Sequence, residues 1–439
     1  MLFRSAYAAS PLTVWFGIAM AGVFVWAGRG LDDSERRYVR SVLVLAVAIR
    51  VLMVAALFLT RDGSVVGSFP WDGDGVYLKQ RAVLIEHVWA GIPISGTDFT
   101  NAYSRIYGWT SFIYVLAFVQ YLTGVAPYGV HLVNVALFVT AAVLMHRLVR
   151  SSYGPPAALL GLALMLLVPS LIAWSASALK EALYVWLCAL GVTATVTAIR
   201  TRGVAARLVW VGVLAAVIAA IGTVRVGASV ILTAGIVLGL VSTITTRRTP
   251  VLLAGVLLLP LVAWGLWSVP AAQNAIMAQL KGAAVQHVGN LSTVGHSYPL
   301  LDQHFYSDGP ITLMTPLEGL RFAIRAFVSF VVVPLPWQVA STAELAFLGE
   351  QIVWYVLVLL AGVGLVAGLK RDALVTCMLA GLSVTGAAVI ALNSGNIGTM
   401  VRFRDTIVPF VVWLSALGAM STLSGLVSRS PNLRSTPCP

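Results

Sequence analysis

The sequence predicts an all-α polytopic membrane protein of roughly ten to twelve transmembrane helices, with two long outer-face loops that hold interfacial helices. Three observations predict it. Of the residues, 59% are hydrophobic and 10% charged, whereas a soluble domain carries roughly a quarter charged residues. The apolar residues recur along the chain in runs near the length that crosses a hydrocarbon core, about 20 residues. The net charge of +12 comes from Lys and Arg gathered in short loops between those runs, as expected of cytoplasmic loops facing anionic lipid. No Lys/Arg stripe with interleaved aromatics follows a phosphate backbone, so nucleic acid is not an expected partner. The whole chain, residues 1–439, reads as one integral membrane domain at the inner (plasma) membrane. Cys188, Cys377 and Cys438 have no metal-ligand spacing and form no paired framework.

The first apolar run, Pro11 to Ala27, reads as a retained anchor and not a cleaved signal peptide. Arg29, Arg36, Arg37 and Arg40 follow it, which places that loop in the cytoplasm and the N-terminus outside. Ser41 to Thr60 returns across the bilayer. Residues 61–106 then form the first outer loop. Tyr107 to Gly124, interrupted by Gln120, is expected along the outer interface while His131 to Leu148 crosses; this keeps the basic HRLVRSS loop inside. Pro156 to Trp174 goes outward to the SASALKEA turn, and Leu183 to Ile199 comes back. Leu208 to Thr223, Ala228 to Thr245 and Val251 to Trp267 continue the weave. Residues 268–318 form the second outer loop, which lacks an apolar run of spanning length. The following segment, LRFAIRAFVSFVVVPLPWQVA, either spans or is a re-entrant element broken at Pro334 and Pro336. Spans near Ile352 to Leu369, Leu374 to Leu392 and Ile407 to Leu423 end the chain.

Two long loops on one side point to a site where loops meet the bilayer surface. In the first, FPWDGDGVYLKQRA sets Asp72 and Asp74 among Gly73 and Gly75. Glycines let a ligand approach the backbone, and two carboxylates can act as a general base or hold a divalent cation. The plainer alternative is a tight turn in which Asp74 caps a helix. A set of cations lies at or within membrane depth: Arg50 in mid-span, Lys180 beside Glu181, Arg225, the pair Arg321 and Arg325, and the pair Arg402 and Arg404. A mid-span arginine costs about 2.5–3.5 kcal/mol to insert, so Arg50 must face the protein interior or a wet cavity and have a partner. Arg321 and Arg325 are four apart, hence on one helix face and able to grip one anion; singly, each cation also fits snorkelling or a structural ion pair. The histidines lack HxxxH spacing.

Three stretches resemble the GT-C superfamily of membrane glycosyltransferases, those similar to protein O-mannosyltransferases and aminoarabinose transferases. They are the acidic first loop, the region from GWTSFIYVLAF to EALYVWLCALG, and NSGNIGTMVRFRDTIVPFVVW. The resemblance covers roughly Phe69 to Leu190 well. It implies transfer of a sugar from a polyprenyl-phosphate donor to a glycan, lipid or protein acceptor on the outer face. In that reading Asp74 or Asp72 is the catalytic base, Tyr77 belongs to the substrate site as the tyrosine that follows the acidic pair, and Lys180, Arg225, Arg321, Arg325, Arg402 and Arg404 are the candidates for the lipid phosphate. A divalent cation at Asp72 and Asp74 and no cofactor at all are equally open. A polysaccharide polymerase or ligase with a lipid-pyrophosphate donor is the second reading, and a lipid-linked sugar flippase, which predicts inverted repeats and discontinuous helices, the third.

Overall fold

The computed structural model describes residues 10–59, 73–104, 110–126, 128–246, 264–265, 267–291, 297–307, 309–338 and 342–429. Helices account for its regular structure. Among the described residues eight of them are long and apolar enough to cross a bilayer, or nine if one bent pair counts as a single span. This is the pattern of a multi-pass membrane protein. The chain folds as two compact units, Met1–Thr233 and Ala234–Pro439.

The first unit begins with α1 (Pro11–Ala27) and α2 (Asp33–Leu59). The first loop contains α3 (Gly73–Trp89) and α4 (Gly96–Tyr103) and is followed by α5 (Phe112–Thr123). Then come α6 (Gly129–Tyr153), α7 (Pro155–Leu167), α8 (Pro169–Ser175), α9 (Glu181–Arg200) and α10 (Val204–Val224). At about 18 Å, α5 is too short to cross alone. It packs against α3. Gly154 takes a positive φ of 90° at the α6 end, a conformation that side chains resist, and Pro155 starts α7 at once.

The expected single span Pro156 to Trp174 is instead two helices bent by 59°. Pro169 has no amide hydrogen for the carbonyl four residues back, so the ladder stops at Val168. One of the open carbonyls there, Leu166 O, is met by Arg50, which is completely buried. Its Nε donates to Ser175 Oγ at 2.7 Å, and Nη1 donates to Leu166 O at 2.9 Å and Ala46 O at 3.1 Å. The Phe138 ring lies under the guanidinium. The partner demanded of a mid-span arginine is therefore backbone and hydroxyl oxygen; among the described residues Arg50 makes no ion pair.

The SASALKEA turn, expected to be a polar turn facing outward, is buried from Ser175 to Leu179. Its carbonyls are held by α6, with Ala176 O accepting from His131 Nδ1 at 2.6 Å and Ser177 O and Leu179 O from Asn134 Nδ2 at 2.8 and 2.6 Å. His131 and Asn134, three apart at the start of an apolar run, share one helix face.

Helix α11 (Ala228–Thr246) runs from the first unit into the second. The expected span Val251 to Trp267 falls almost wholly outside the described residues. The second unit continues with α12 (Pro270–Leu291), α13 (His304–Ser307), α14 (Pro316–Val332), α15 (Thr342–Arg371), α16 (Ala373–Asn393), α17 (Ile397–Arg404) and α18 (Val408–Arg429). Thr315 and Glu318 form a reciprocal capping box at the start of α14, with Pro316 as its first residue. Helices α15 and α18 pack through Gly364 and Gly418, and Ser415 Oγ donates to Leu357 O at 2.7 Å between them.

Candidate functional site

In the first loop, α3 begins at Gly73 and Asp74. Asp72 and the side chain of Asp74 lie outside the described residues. The helix turns two cations inward: Lys79 is 6% exposed and Arg81 3%. Arg81 Nε donates to Ala102 O at 3.1 Å, a carbonyl in the last turn of α4 that has no intrahelical partner, and its guanidinium lies over the Tyr77 ring. The α4 start is fixed by Ser95, whose Oγ accepts from the Asp98 amide and donates to Asp98 Oδ2.

These elements and α5 surround a cavity of about 610 Å³. Tyr77, Lys79, Gln80, Arg81, Asp98, Asn101 and Gln120 make its polar wall; Phe58, Leu84 and Val125 are among its apolar wall. Gln120 Oε1 is buried and accepts no hydrogen bond from the described residues. Two cations and one carboxylate leave the described wall with a positive excess, in a setting where charge is poorly screened. Such a cavity suits a ligand with an anionic group and hydroxyls that can donate to Gln120 and Asp98.

The other expected site residues are spread over the chain. Lys180 closes the buried turn before α9, and Arg225 ends α10. In the second unit, Arg325 Nη1 donates to Asp302 Oδ1 at 2.7 Å and to Leu300 O, and Arg321 Nη1 is 4.0 Å from Asp302 Oδ2. The Arg325 hydrogen bond holds the Asp302 carboxyl below the usual carboxylate range. One carboxylate thus already lies between the two arginines. Arg402 stands over Phe403. Arg404 is buried, with its donors on Gln351 Oε1 at 2.6 Å, Phe330 O at 2.7 Å and Val333 O at 2.8 Å. It caps the open carbonyls at the end of α14, and burial lowers its pKa to about 10, which still leaves it charged at neutral pH. Among the described residues no three His, Cys, Asp or Glu side chains group as metal ligands; the Asp72 and Asp74 carboxylates lie outside that set.

A second polar cluster ties down the second loop. His287 Nδ1 faces Ser394 O at 2.8 Å; since a carbonyl only accepts, this nitrogen carries the proton and Nε2 accepts from the Tyr306 hydroxyl at 3.2 Å. That hydroxyl in turn accepts from the Leu300 and Leu301 amides, each at 2.8 Å. Burial lowers the His287 pKa from 6.5. The unfolded chain therefore takes up the proton first as pH falls. Stability from this cluster is complete above 6.5 and declines below it until the lower folded value is reached. Hydrogen exchange at Leu300 and Leu301, corrected for intrinsic rate, should lose protection between about pH 7.5 and about pH 5. Unchanged protection over that range would mean that His287 does not hold the loop.

Lys79, Arg81, Asp98, Asn101 and Gln120 were not legible as site residues. The one available signal was the placing of Lys79 and Arg81 directly after the Asp-Gly pair. Comparison with protein-family models, curated proteins and solved structures finds no match.

Proposed function

We propose that this chain is a membrane glycosyltransferase that moves a sugar from a polyprenyl-phosphate carrier to a hydroxyl of a glycan, lipid or protein acceptor at the outer face of the plasma (inner) membrane. The observation that carries the reading is the cavity lined by Lys79 and Arg81, on the same helix that opens with Gly73, Asp74 and Gly75. The acceptor oxygen bonds to the anomeric carbon as the bond from that carbon to the phosphate oxygen breaks. Asp74 or Asp72 takes the acceptor proton, and the electron pair leaves with the lipid phosphate. Lys79 and Arg81 stabilise the charge that grows on that phosphate, and Tyr77, at the same wall, positions the donor. Lys180, Arg225, Arg402 and Arg404 remain candidates for the carrier phosphate, as do Arg321 and Arg325, which must share it with Asp302.

The break between α7 and α8 favours the transporter reading, because transporters bind substrates at discontinuous helices. Here, however, Arg50 occupies the Leu166 carbonyl at that break, and His131 and Asn134 occupy the carbonyls beyond the end of α8.

Replacing Asp74 or Asp72 by Asn keeps size and removes basicity. At the residue that takes the proton, consumption of a polyprenyl-phosphate sugar by the purified chain should fall by about 100-fold or more. Lys79→Gln should also lower turnover, since one charge facing the leaving phosphate is gone. Activity near wild type in both Asn variants would remove the base from this segment. Chelation with EDTA separates the two versions of the acidic pair: activity lost and regained with a divalent cation assigns the carboxylates to metal, unchanged activity to base catalysis alone.

A further inference from the structure

Helix α14 presents three distinct sides. Gly319, Phe322, Ala326 and Phe330 are buried, and the helix packs on α16, one of the long apolar helices. Leu317, Leu320, Ile324, Phe327, Val328 and Val331 are exposed and form one continuous apolar stripe. Glu318, Arg321, Arg325 and Ser329 make a polar edge beside that stripe over three turns. A helix crossing hydrocarbon would carry this edge through the core at high cost, and at 17 residues it is about 25 Å long, short of the roughly 30 Å core.

Its tertiary ties place both halves at one end of the spans. Phe322, in the first half, lies against His287, which hydrogen-bonds Ser394 just past the end of α16. The end of α14 is held by Gln351, near the start of the apolar part of α15, and by Arg404, just before α18. Helices α15 and α16 are joined directly at Asp372, so the start of α15 and the end of α16 lie on the same side of the bilayer. The short α17 keeps the start of α18 on that side too. Trp337, 78% exposed just beyond α14, has the amphipathic ring favoured at the membrane surface.

From this we infer that α14 is a bilayer-docking helix: it lies lengthwise in the membrane surface, with its Leu317–Ile324–Val331 stripe in the acyl region and its Glu318–Arg321–Arg325 edge among the lipid headgroups. The occupant of the stripe is lipid, because the face sits at the ends of helices that themselves cross the bilayer. The inference holds whether or not the chain transfers a sugar.

Nitroxide labels on cysteines introduced at Leu317, Ile324 and Val331 test it in the full chain, reconstituted in phosphatidylcholine vesicles. Cys438 is replaced by Ala, and the buried Cys188 and Cys377 stay in place. Oxygen and nickel-chelate relaxation should put all three labels at similar depth, within about 10 Å of the headgroups. A spanning helix would instead spread Leu317 and Val331 about 21 Å along the bilayer normal, and that gradient would overturn the inference. Labels shielded from both oxygen and nickel chelate would assign the stripe to a protein partner and overturn it equally. A label at the polar-edge residue Arg321 should be more accessible to nickel chelate than one at Ile324; the reverse order would also sink it.

Discussion

Replacing Arg50 by methionine is expected to remove about 2–4 kcal/mol of stability, because neutral buried oxygens lose their donors. Methionine keeps the unbranched apolar stem but ends where the guanidinium begins, so the donors and the guanidinium contact with the Phe138 ring are lost together. Leu166 O and Ser175 Oγ then lose their 2.9 and 2.7 Å partners at a place where Pro169 has already broken the helical ladder. Each buried acceptor left unmet costs about 1–3 kcal/mol. The relief of desolvating a guanidinium offsets part of that loss and does not cancel it, because water cannot readily enter to replace the donors. Thermal unfolding of the detergent-solubilised chain reads the effect. Arg50→Lys should fall between wild type and methionine, since an ammonium offers donors without the planar fork that reaches α7 and α8 together. A methionine variant within about 1 kcal/mol of wild type would show that the bend does not depend on these bonds.

The second large effect concerns α15 and α18. A methyl group added at Gly364 would run into the carbonyl oxygen of Leu414, and one added at Gly418 into that of Leu360. Both obstacles are backbone, so no side-chain rotation relieves them and the two helices must move apart. Gly364→Ala and Gly418→Ala should each cost about 1–3 kcal/mol, and leucine at either position more. Gly362 is the internal control. On the same helix it has open space around it, so Gly362→Ala should be neutral or slightly stabilising through better helix propensity. Equal unfolding midpoints for Gly362→Ala and Gly364→Ala would contradict close backbone packing of this pair. Such packing is expected where association in lipid relies on van der Waals contact between small residues.

Helices α6, α9, α10, α11, α15, α16 and α18 were legible because solvent selects them through composition alone: a long apolar run in hydrocarbon has to satisfy its own backbone, and a helix does so within one segment. The same logic flagged Arg50 as needing an interior partner, since the cost of a bare charge in lipid is independent of the fold. The number of spans is less sharply written. At 17 residues α1 is a shorter apolar helix than the eight candidates, and apolar length says nothing about tilt.

By itself, the sequence determined that the chain is built for a bilayer, where its long apolar helices fall, and that Arg50 needed an interior partner and Arg321 and Arg325 one helix face. These follow from transfer energies and helical period, which are properties of local segments. Only the tertiary structure decided who meets each charge. Arg50 answers a helix break more than a hundred positions away in the chain, Asp302 stands between Arg321 and Arg325, Arg404 caps α14, and Lys79 with Arg81 lines a cavity instead of water. Hydrogen bonds and ion pairs act over about 3 Å and are indifferent to sequence distance, so their partners are set by which helices pack together, and no local pattern encodes that.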